Sequence, residues 1–342
     1  MKRKGTTNFL LLLINVQIKR IKTVNKKFSV YLPDECWELV FKNLLIDDQH
    51  YNSLSLVSKQ FLSITNRLRS SLTIKPNLTT EQALNLIERF PKLTSLNFSG
   101  RLDLDYILLQ LSTFPFRLKS LKLDNTPTIL ATGLLAFSIT STLQSLTCSH
   151  TNFIHSTHMY LIGDCFPDMQ RIDLSHCKNI YLDSLHVLLK GCRENITHLN
   201  LTDCSILTED IMMNFQVPKL KVLNLSDSSV DDKTLYVITK SCTGILKLSL
   251  KHCRHVSDKG VKCVLRNCKK LREINFKHCP KVVHVNVASM LLRRPSLRKI
   301  KLPSGVAWEV PLVSTKSKLR NESKVQSSDP DRQRCLVCCS FC

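Results

Sequence analysis

The chain has 342 residues, 43% of them hydrophobic, enough to bury a sizeable core. Its 49 basic and 27 acidic residues give a net charge of +22, which suits acidic protein segments, nucleic acid or anionic membrane as partners. It has no Walker loop, His-Glu-x-x-His or Gly-x-Ser-x-Gly motif and no acid/base constellation, so neither catalysis nor a cofactor is expected of it.

The first segment, 1–30, is a basic extension expected to be disordered. Residues 1–31 carry eight Lys/Arg and no acid. Lys2-Arg3-Lys4 followed by Phe9-Leu10-Leu11-Leu12-Leu13-Ile14 has the front of a secretory signal, but no small-residue cleavage site follows. The apolar run is also too short to span a bilayer. Lys19-Arg20-Ile21-Lys22 and Lys26-Lys27 fit either a nuclear address or a solvated basic arm. A soluble protein of the nucleus or cytoplasm, with no membrane partner, is the expectation.

Residues 31–75 predict a small all-α module. Pro33 suits a first helical turn, and Asp34 and Glu35 complement the positive end of the helix dipole. Cys36, Leu39, Val40 and Leu44 then form an apolar stripe. A second helix is predicted from Ser53 to about Leu68, with Leu54, Val57, Phe61, Ile64 and Leu68 on one face. Two short helices cannot make a full core, so this module needs a partner surface.

From 76 to 302 one pattern occurs nine times: aliphatic, two variable residues, aliphatic, one variable, apolar. Its first positions are Leu93, Leu118, Leu143, Met169, Ile196, Leu220, Ile245, Leu271 and Leu297, spaced 24 to 27 residues apart. Such a period marks a leucine-rich-repeat solenoid, an α/β fold with a curved parallel sheet inside and helices outside. The last two apolar residues of each unit alternate along a strand and point inward; the residues between them face solvent. Three residues later comes a small polar or thiol residue: Thr126, Thr151, Cys177, Cys204, Ser228, Cys253 and Cys279. A second set, Cys165, Cys192, Cys242 and Cys268, precedes the next aliphatic position. Thiols recurring in step with repeats need no partner, so neither disulfides nor a metal site is expected there. Residues 303–342 read as a flexible tail; its Cys335-x-x-Cys338-Cys339-x-x-Cys342 is too tightly spaced to wrap one ion.

The segment Leu32-Pro33-x-Glu35, with Leu39-Val40-Phe41, Leu44 and Val57-Ser58-Lys59-Gln60-Phe61, resembles the F-box. Ser175-His176-Cys177 and Lys251-His252-Cys253 are similar to the cysteine-containing leucine-rich repeats of F-box proteins. Together they cover most of the chain and look like a plant-type F-box/leucine-rich-repeat protein. The resemblance implies a substrate-recognition subunit of a ubiquitin ligase. In it Leu32, Pro33, Glu35, Leu39, Val40, Phe41, Leu44, Val57 and Phe61 would hold a Skp-type adaptor, and through it a cullin. The other classes weighed are an interaction scaffold with no ligase role and a nucleic-acid-binding solenoid. The last lacks exposed aromatics on the strands for base stacking.

The charge points to where a protein substrate would bind. Segment 239–302 holds seventeen Lys/Arg against Asp258 and Glu273, a difference of +15. Lys247, Lys251, Lys277, Lys299 and Lys301 fall at solvent-facing strand positions or just beyond them, with His252 and His278 at strand ends. These seven residues are the expected contacts for an acidic or phosphorylated substrate.

Overall fold

The computed structural model describes residues 32–43, 48–115, 117–126, 131–139, 142–151, 156–177, 180, 182–204 and 216–303. The chain divides into two compact units, Met1–Arg69 and Ser70–Cys342.

The first unit holds helices α1 (Asp34–Asn43), α2 (Asp48–Ser55) and α3 (Lys59–Leu68). The carbonyl of Pro33 accepts from the N–H groups of Cys36 and Trp37, which starts α1. Phe41, Leu54, Phe61 and Ile64 form the core, with Trp37 and Leu68 packed on it. Trp37, Phe41 and Phe61 meet as an aromatic trio: the Phe41 and Phe61 rings lie edge-on, 5.0 Å between centroids, and Trp37 is 4.7 Å from Phe61. A polar clasp joins α1 to α3. Arg67 reaches Asp34 at 2.8 Å and Glu38 at 3.1 Å, and Gln60 Nε2 donates to Asp34 at 2.9 Å.

Two expectations for this unit are corrected. The single helix predicted from Ser53 to Leu68 is broken, because Ser58 adopts an extended backbone and its hydroxyl caps Phe61 N–H at 3.1 Å. Val57 therefore sits in a turn and is exposed, while Leu54, Phe61 and Ile64 are buried as expected. The stripe of Cys36, Leu39 and Val40 is not the inner face of α1 either. All three are exposed, since the bulkier Trp37 and Phe41, four residues apart, take the core side. Leu44 lies outside the described residues.

The second unit is an array in which each repeat contributes one three-residue strand. The strands are β1 (Ser71–Thr73), β2 (Ser95–Asn97), β3 (Ser120–Lys122), β4 (Ser145–Thr147), β5 (Arg171–Asp173), β6 (His198–Asn200), β7 (Val222–Asn224), β8 (Lys247–Ser249), β9 (Glu273–Asn275) and β10 (Lys299–Lys301). They form one parallel sheet in sequence order, each in register with the next. Helices α4 (Thr80–Glu88), α5 (Leu104–Leu111), α6 (Ala131–Ser138), α7 (Ser156–Cys165), α8 (Leu182–Cys192), α9 (Asp232–Ser241), α10 (Asp258–Asn267) and α11 (Val287–Arg293) lie between successive strands at every step but β6 to β7, where part of the connection is outside the described residues. The middle residue of every strand is buried and its two neighbours are not, and the nine predicted first positions are all buried. The architecture is the predicted leucine-rich-repeat solenoid.

Its start differs from expectation. β1 pairs with β2, so the array has ten strands rather than nine, and it begins at Ser70, inside the segment assigned to the helical module. Leu72 and Ile74 are buried like their counterparts, but Arg69 stands where later repeats have an aliphatic residue, which hides the first unit from a pattern search.

Past each of β2 to β9 the backbone turns through one residue with positive φ: Gly100, Asn125, His150, His176, Asp203, Asp227, His252 and His278. Asn, Asp and His tolerate this region better than most side chains. The N–H of this residue donates to the next repeat, as Asn125 does to Ser149 O at 3.0 Å and His252 to Lys277 O at 2.9 Å. The small residue that follows caps carbonyls inside the turn. Thr126, Thr151 and Ser228 donate to their own repeat's carbonyl, at 2.8, 2.9 and 2.6 Å. Cysteine reaches back one repeat instead: Cys177 to Cys148 O at 3.1 Å, Cys204 to Leu174 O at 3.0 Å, Cys253 to Leu225 O at 3.0 Å and Cys279 to Leu250 O at 2.9 Å. Each thiol thus satisfies a buried carbonyl between units.

Two predictions follow from packing. A Cβ on Gly191 of α8 would stand 2.2 Å from the carbonyl oxygen of Gly163 on α7. Gly191→Ala should therefore destabilise the array by about 1–3 kcal/mol in chemical denaturation, as overpacking does; an unchanged midpoint would mean that α7 and α8 are further apart. Burial pushes the Cys242 and Cys268 thiols up from 9.0 to about 12. Since the folded pKa is raised, this contribution is full below the unfolded pKa and is lost as pH rises from about 9 towards 12. The Cys242→Ala/Cys268→Ala chain, though less stable at neutral pH, should lose less stability on alkalinisation than wild type in denaturation series taken at rising pH.

Candidate functional site

Two surfaces stand out, one on each unit. On the first, the aromatic trio and polar clasp take up the inward side of α1 and leave apolar side chains outside. Leu32, Leu39, Val40, Leu56 and Val57 are 41%, 65%, 39%, 88% and 47% exposed. Five exposed apolar side chains in so small a module make it a candidate interaction surface. Of the predicted adaptor contacts, Leu32, Pro33, Glu35, Leu39, Val40 and Val57 are on the surface. Phe41 and Phe61 are core residues that shape it from beneath, and Leu44 is outside the described residues. Leu56 was missed; its signal was an apolar pair, Leu56-Val57, immediately ahead of a capping serine. Hydrogen bonds from Arg67 and Gln60 hold the Asp34 carboxyl below the usual carboxylate range, and Asp34 in turn raises the Arg67 guanidinium. Asp34 and Arg67 thus stay charged at neutral pH.

The second surface is the open face of the sheet, where the first and third residues of each strand present their side chains in columns. At β8–β10 these are Lys247, Glu273 and Lys299 in one column and Ser249, Asn275 and Lys301 in the next. They surround a depression of about 220 Å³, joined on the β7 side by Val222 and Asn224. Glu273 stands between two lysines and holds Lys247 at 2.7 Å. Among the described residues Lys299 and Lys301 make no ion pair.

Most polar groups nearby are already committed. The Oδ1 atoms of Asn200, Asn224 and Asn275 accept from the N–H groups of Thr202, Ser226 and Lys277 and so shape each turn. Asn275 Nδ2 donates to Ser249 Oγ at 3.3 Å.

The structure therefore splits the predicted substrate set. Lys247, Lys299 and Lys301 line the depression. Lys251, His252, Lys277 and His278 lie past the strand ends, on the turn edge, where the His252 and His278 rings stack 4.4 Å apart. Burial and the neighbouring His252, Lys277 and Lys251 push His278 towards its neutral form. On the face itself, burial together with Arg171, Lys221 and Lys247 does the same to His198. Sequence reasoning missed the continuation of the edge: His150 stacks on His176 at 4.1 Å, and His176 Nδ1 lies 3.0 Å from Asp203. The signal available was the turn residue itself, which occupies an equivalent place in every repeat and so must form a column.

Among the described residues no helix is long and apolar enough to cross a membrane, and no group of His, Cys, Asp and Glu converges as metal ligands. No family model matches the chain, and no curated protein does. Among solved structures, an internalin of Listeria monocytogenes is similar at 13% identity and a TM-score of 0.47, over 74% of this chain and 74% of that one.

The core and surface roles on α1 separate by stability. Phe41→Ala should cost the first unit about 3–5 kcal/mol, whereas Leu39→Ala should stay within about 0.5 kcal/mol. Amide hydrogen exchange over residues 34–68 of the full chain reads both; equal losses would place Leu39 in the core.

Proposed function

We propose that the chain is a non-catalytic substrate receptor of a cullin-based ubiquitin ligase, acting in the nucleus or cytoplasm. The first unit seats a Skp-type adaptor, and the open face of the array holds the protein to be modified. One observation carries the reading: the helical module leaves Leu32, Leu39, Val40, Leu56 and Val57 exposed. An adaptor that covers these groups would remove from water the apolar surface the module cannot bury itself. The F-box resemblance of the same segment supplies the identity of that partner. A fold built of stacked repeats suits the second role, since a row of outward strand residues offers an extended surface for a protein ligand.

The test is co-purification of tagged chain with adaptor and cullin, with and without a proteasome inhibitor. Leu39→Asp combined with Val40→Asp should lower adaptor recovery by about thirtyfold, the size of a hot-spot loss of roughly 2 kcal/mol. These positions are exposed, so hydrogen exchange in the module should not change. Adaptor recovered at the wild-type level by this variant would refute the assignment.

A further inference from the structure

We infer that the edge of the array where β7 to β10 begin is a docking surface for the phosphate backbone of double-stranded nucleic acid. The open face of the sheet has no part in it, and the inference does not rest on the receptor reading.

In each repeat the chain passes from strand to turn to helix and back. The edge opposite the turns therefore carries helix C-termini and strand entrances. Over β7–β10 this edge comprises residues 216–221, 239–246, 266–272 and 291–298, which hold ten Lys/Arg and no Asp or Glu. The two acids of segment 239–302 are engaged elsewhere: Glu273 with Lys247 on the open face, and Asp258 with His284 at the start of α10. Upstream the same edge is mixed in sign. Asp164 and Asp168 precede β5, and ahead of β6 Glu194 is bonded to Arg193 at 3.1 Å. The uncompensated charge is thus local and is not a property of the repeat.

Folding accounts for part of it. Lys240, Arg266 and Arg293 stand in the last turns of α9, α10 and α11, where a cation answers the helix dipole. Arg294 donates to two carbonyls, Arg293 O at 2.7 Å and Arg266 O at 2.8 Å. Lys221, Arg272 and Arg298 have no such duty. Each immediately precedes a strand and is exposed, and among the described residues its side chain makes no hydrogen bond or ion pair. The backbone stacks them in one column: Leu246 N–H donates to Lys221 O at 2.8 Å, Arg272 N–H to Leu246 O at 2.7 Å and Arg298 N–H to Arg272 O at 2.7 Å. At about 4.8 Å per strand the column runs roughly 14 Å, with the helix-end cations as a second row beside it.

Residue type selects the partner. Protein interfaces are depleted in lysine and enriched in aromatic residues, whereas these segments contain five lysines and no aromatic residue. A single strand binds by stacking its bases on aromatic side chains, which the edge lacks. A bilayer-docking surface sets apolar side chains among its cations, and here one large apolar group, Leu292, is exposed. A duplex keeps its bases stacked and presents about one charge per 1.7 Å of axis, so a column of roughly 14 Å faces about eight phosphate charges.

The test titrates purified full-length chain with short duplex DNA and duplex RNA of unrelated sequences over a range of salt. Residues 1–31 are basic too, so the variants decide. Lys221→Gln, Arg272→Gln and Arg298→Gln together should weaken duplex binding at least about tenfold. They should also lower the slope of log affinity against log salt by about 2.7, at about 0.9 per lost phosphate contact. The charge-matched set Lys247→Gln, Lys251→Gln and Lys301→Gln should leave the slope unchanged. All six side chains lie outside the core, so hydrogen exchange over the repeats should match wild type in both variants. Binding of either duplex supports the inference, and the preferred one names its source. Equal slopes for the two variants would overturn it, because net charge alone would then attract the duplex. So would tighter binding of single strands, or binding of phosphatidylserine vesicles or polyglutamate in place of duplex.

Discussion

The array depends on one constraint: no repeat can satisfy its own backbone. Each contributes a three-residue strand, too short to be stable alone, and every strand N–H and C=O that faces along the array must be met by the adjoining unit. Parallel pairing in strict register meets them, and it continues past the strand end through the turn residue with positive φ. Cysteine and threonine at the following position close the account inside the turn. The hydroxyl is short and reaches its own repeat, whereas the longer C–S bond lets the thiol reach the unit before. The recurring cysteines are therefore hydrogen-bond donors between neighbours. Burial, by raising their pKa, keeps the donor proton in place.

Register also explains which parts of the molecule could be read from the sequence. A buried residue in every strand imposes a period, and the period appears directly as Leu93, Leu118, Leu143 and their successors. The first unit escaped because its pattern opens on Arg69 instead of an aliphatic residue, so only Leu72 and Ile74 carried the signal. In the helical module the apolar residues outnumber the places in the core. Helical spacing alone cannot say whether Leu39 and Val40 or Trp37 and Phe41 face inward. Side-chain size decides it, because the aromatic trio removes more area from water than the aliphatic pair would. The break at Ser58 was hidden for a related reason: serine is tolerated in a helix interior, and its capping role emerges only when its backbone is extended.

The candidate sites differ in the same way. Strand alternation is enough to place Lys247, Lys299 and Lys301 on the open face, because an outward position in one repeat is outward in all. Alternation along one strand says nothing about neighbours across strands. That Glu273 falls between Lys247 and Lys299 depends on zero offset between β8, β9 and β10, which is a property of the folded sheet. The stacked histidine pairs are likewise invisible along the chain, since their members are 26 residues apart in each case.

The inward residues determine stacking, and in the outward columns Asn97, Asn200, Asn224 and Asn275 shape the turns, a duty that Lys299 and Lys301 do not have. The array gains no ion pair from Lys299 or Lys301 among the described residues. Lysine is concentrated at β8–β10, while the first column over β1–β4 is Ser71, Ser95, Ser120 and Ser145. Solubility alone does not require lysines at this place, for charge on the helices would serve it equally. The uneven distribution of charge over an otherwise repetitive scaffold is thus a feature that stacking alone does not explain.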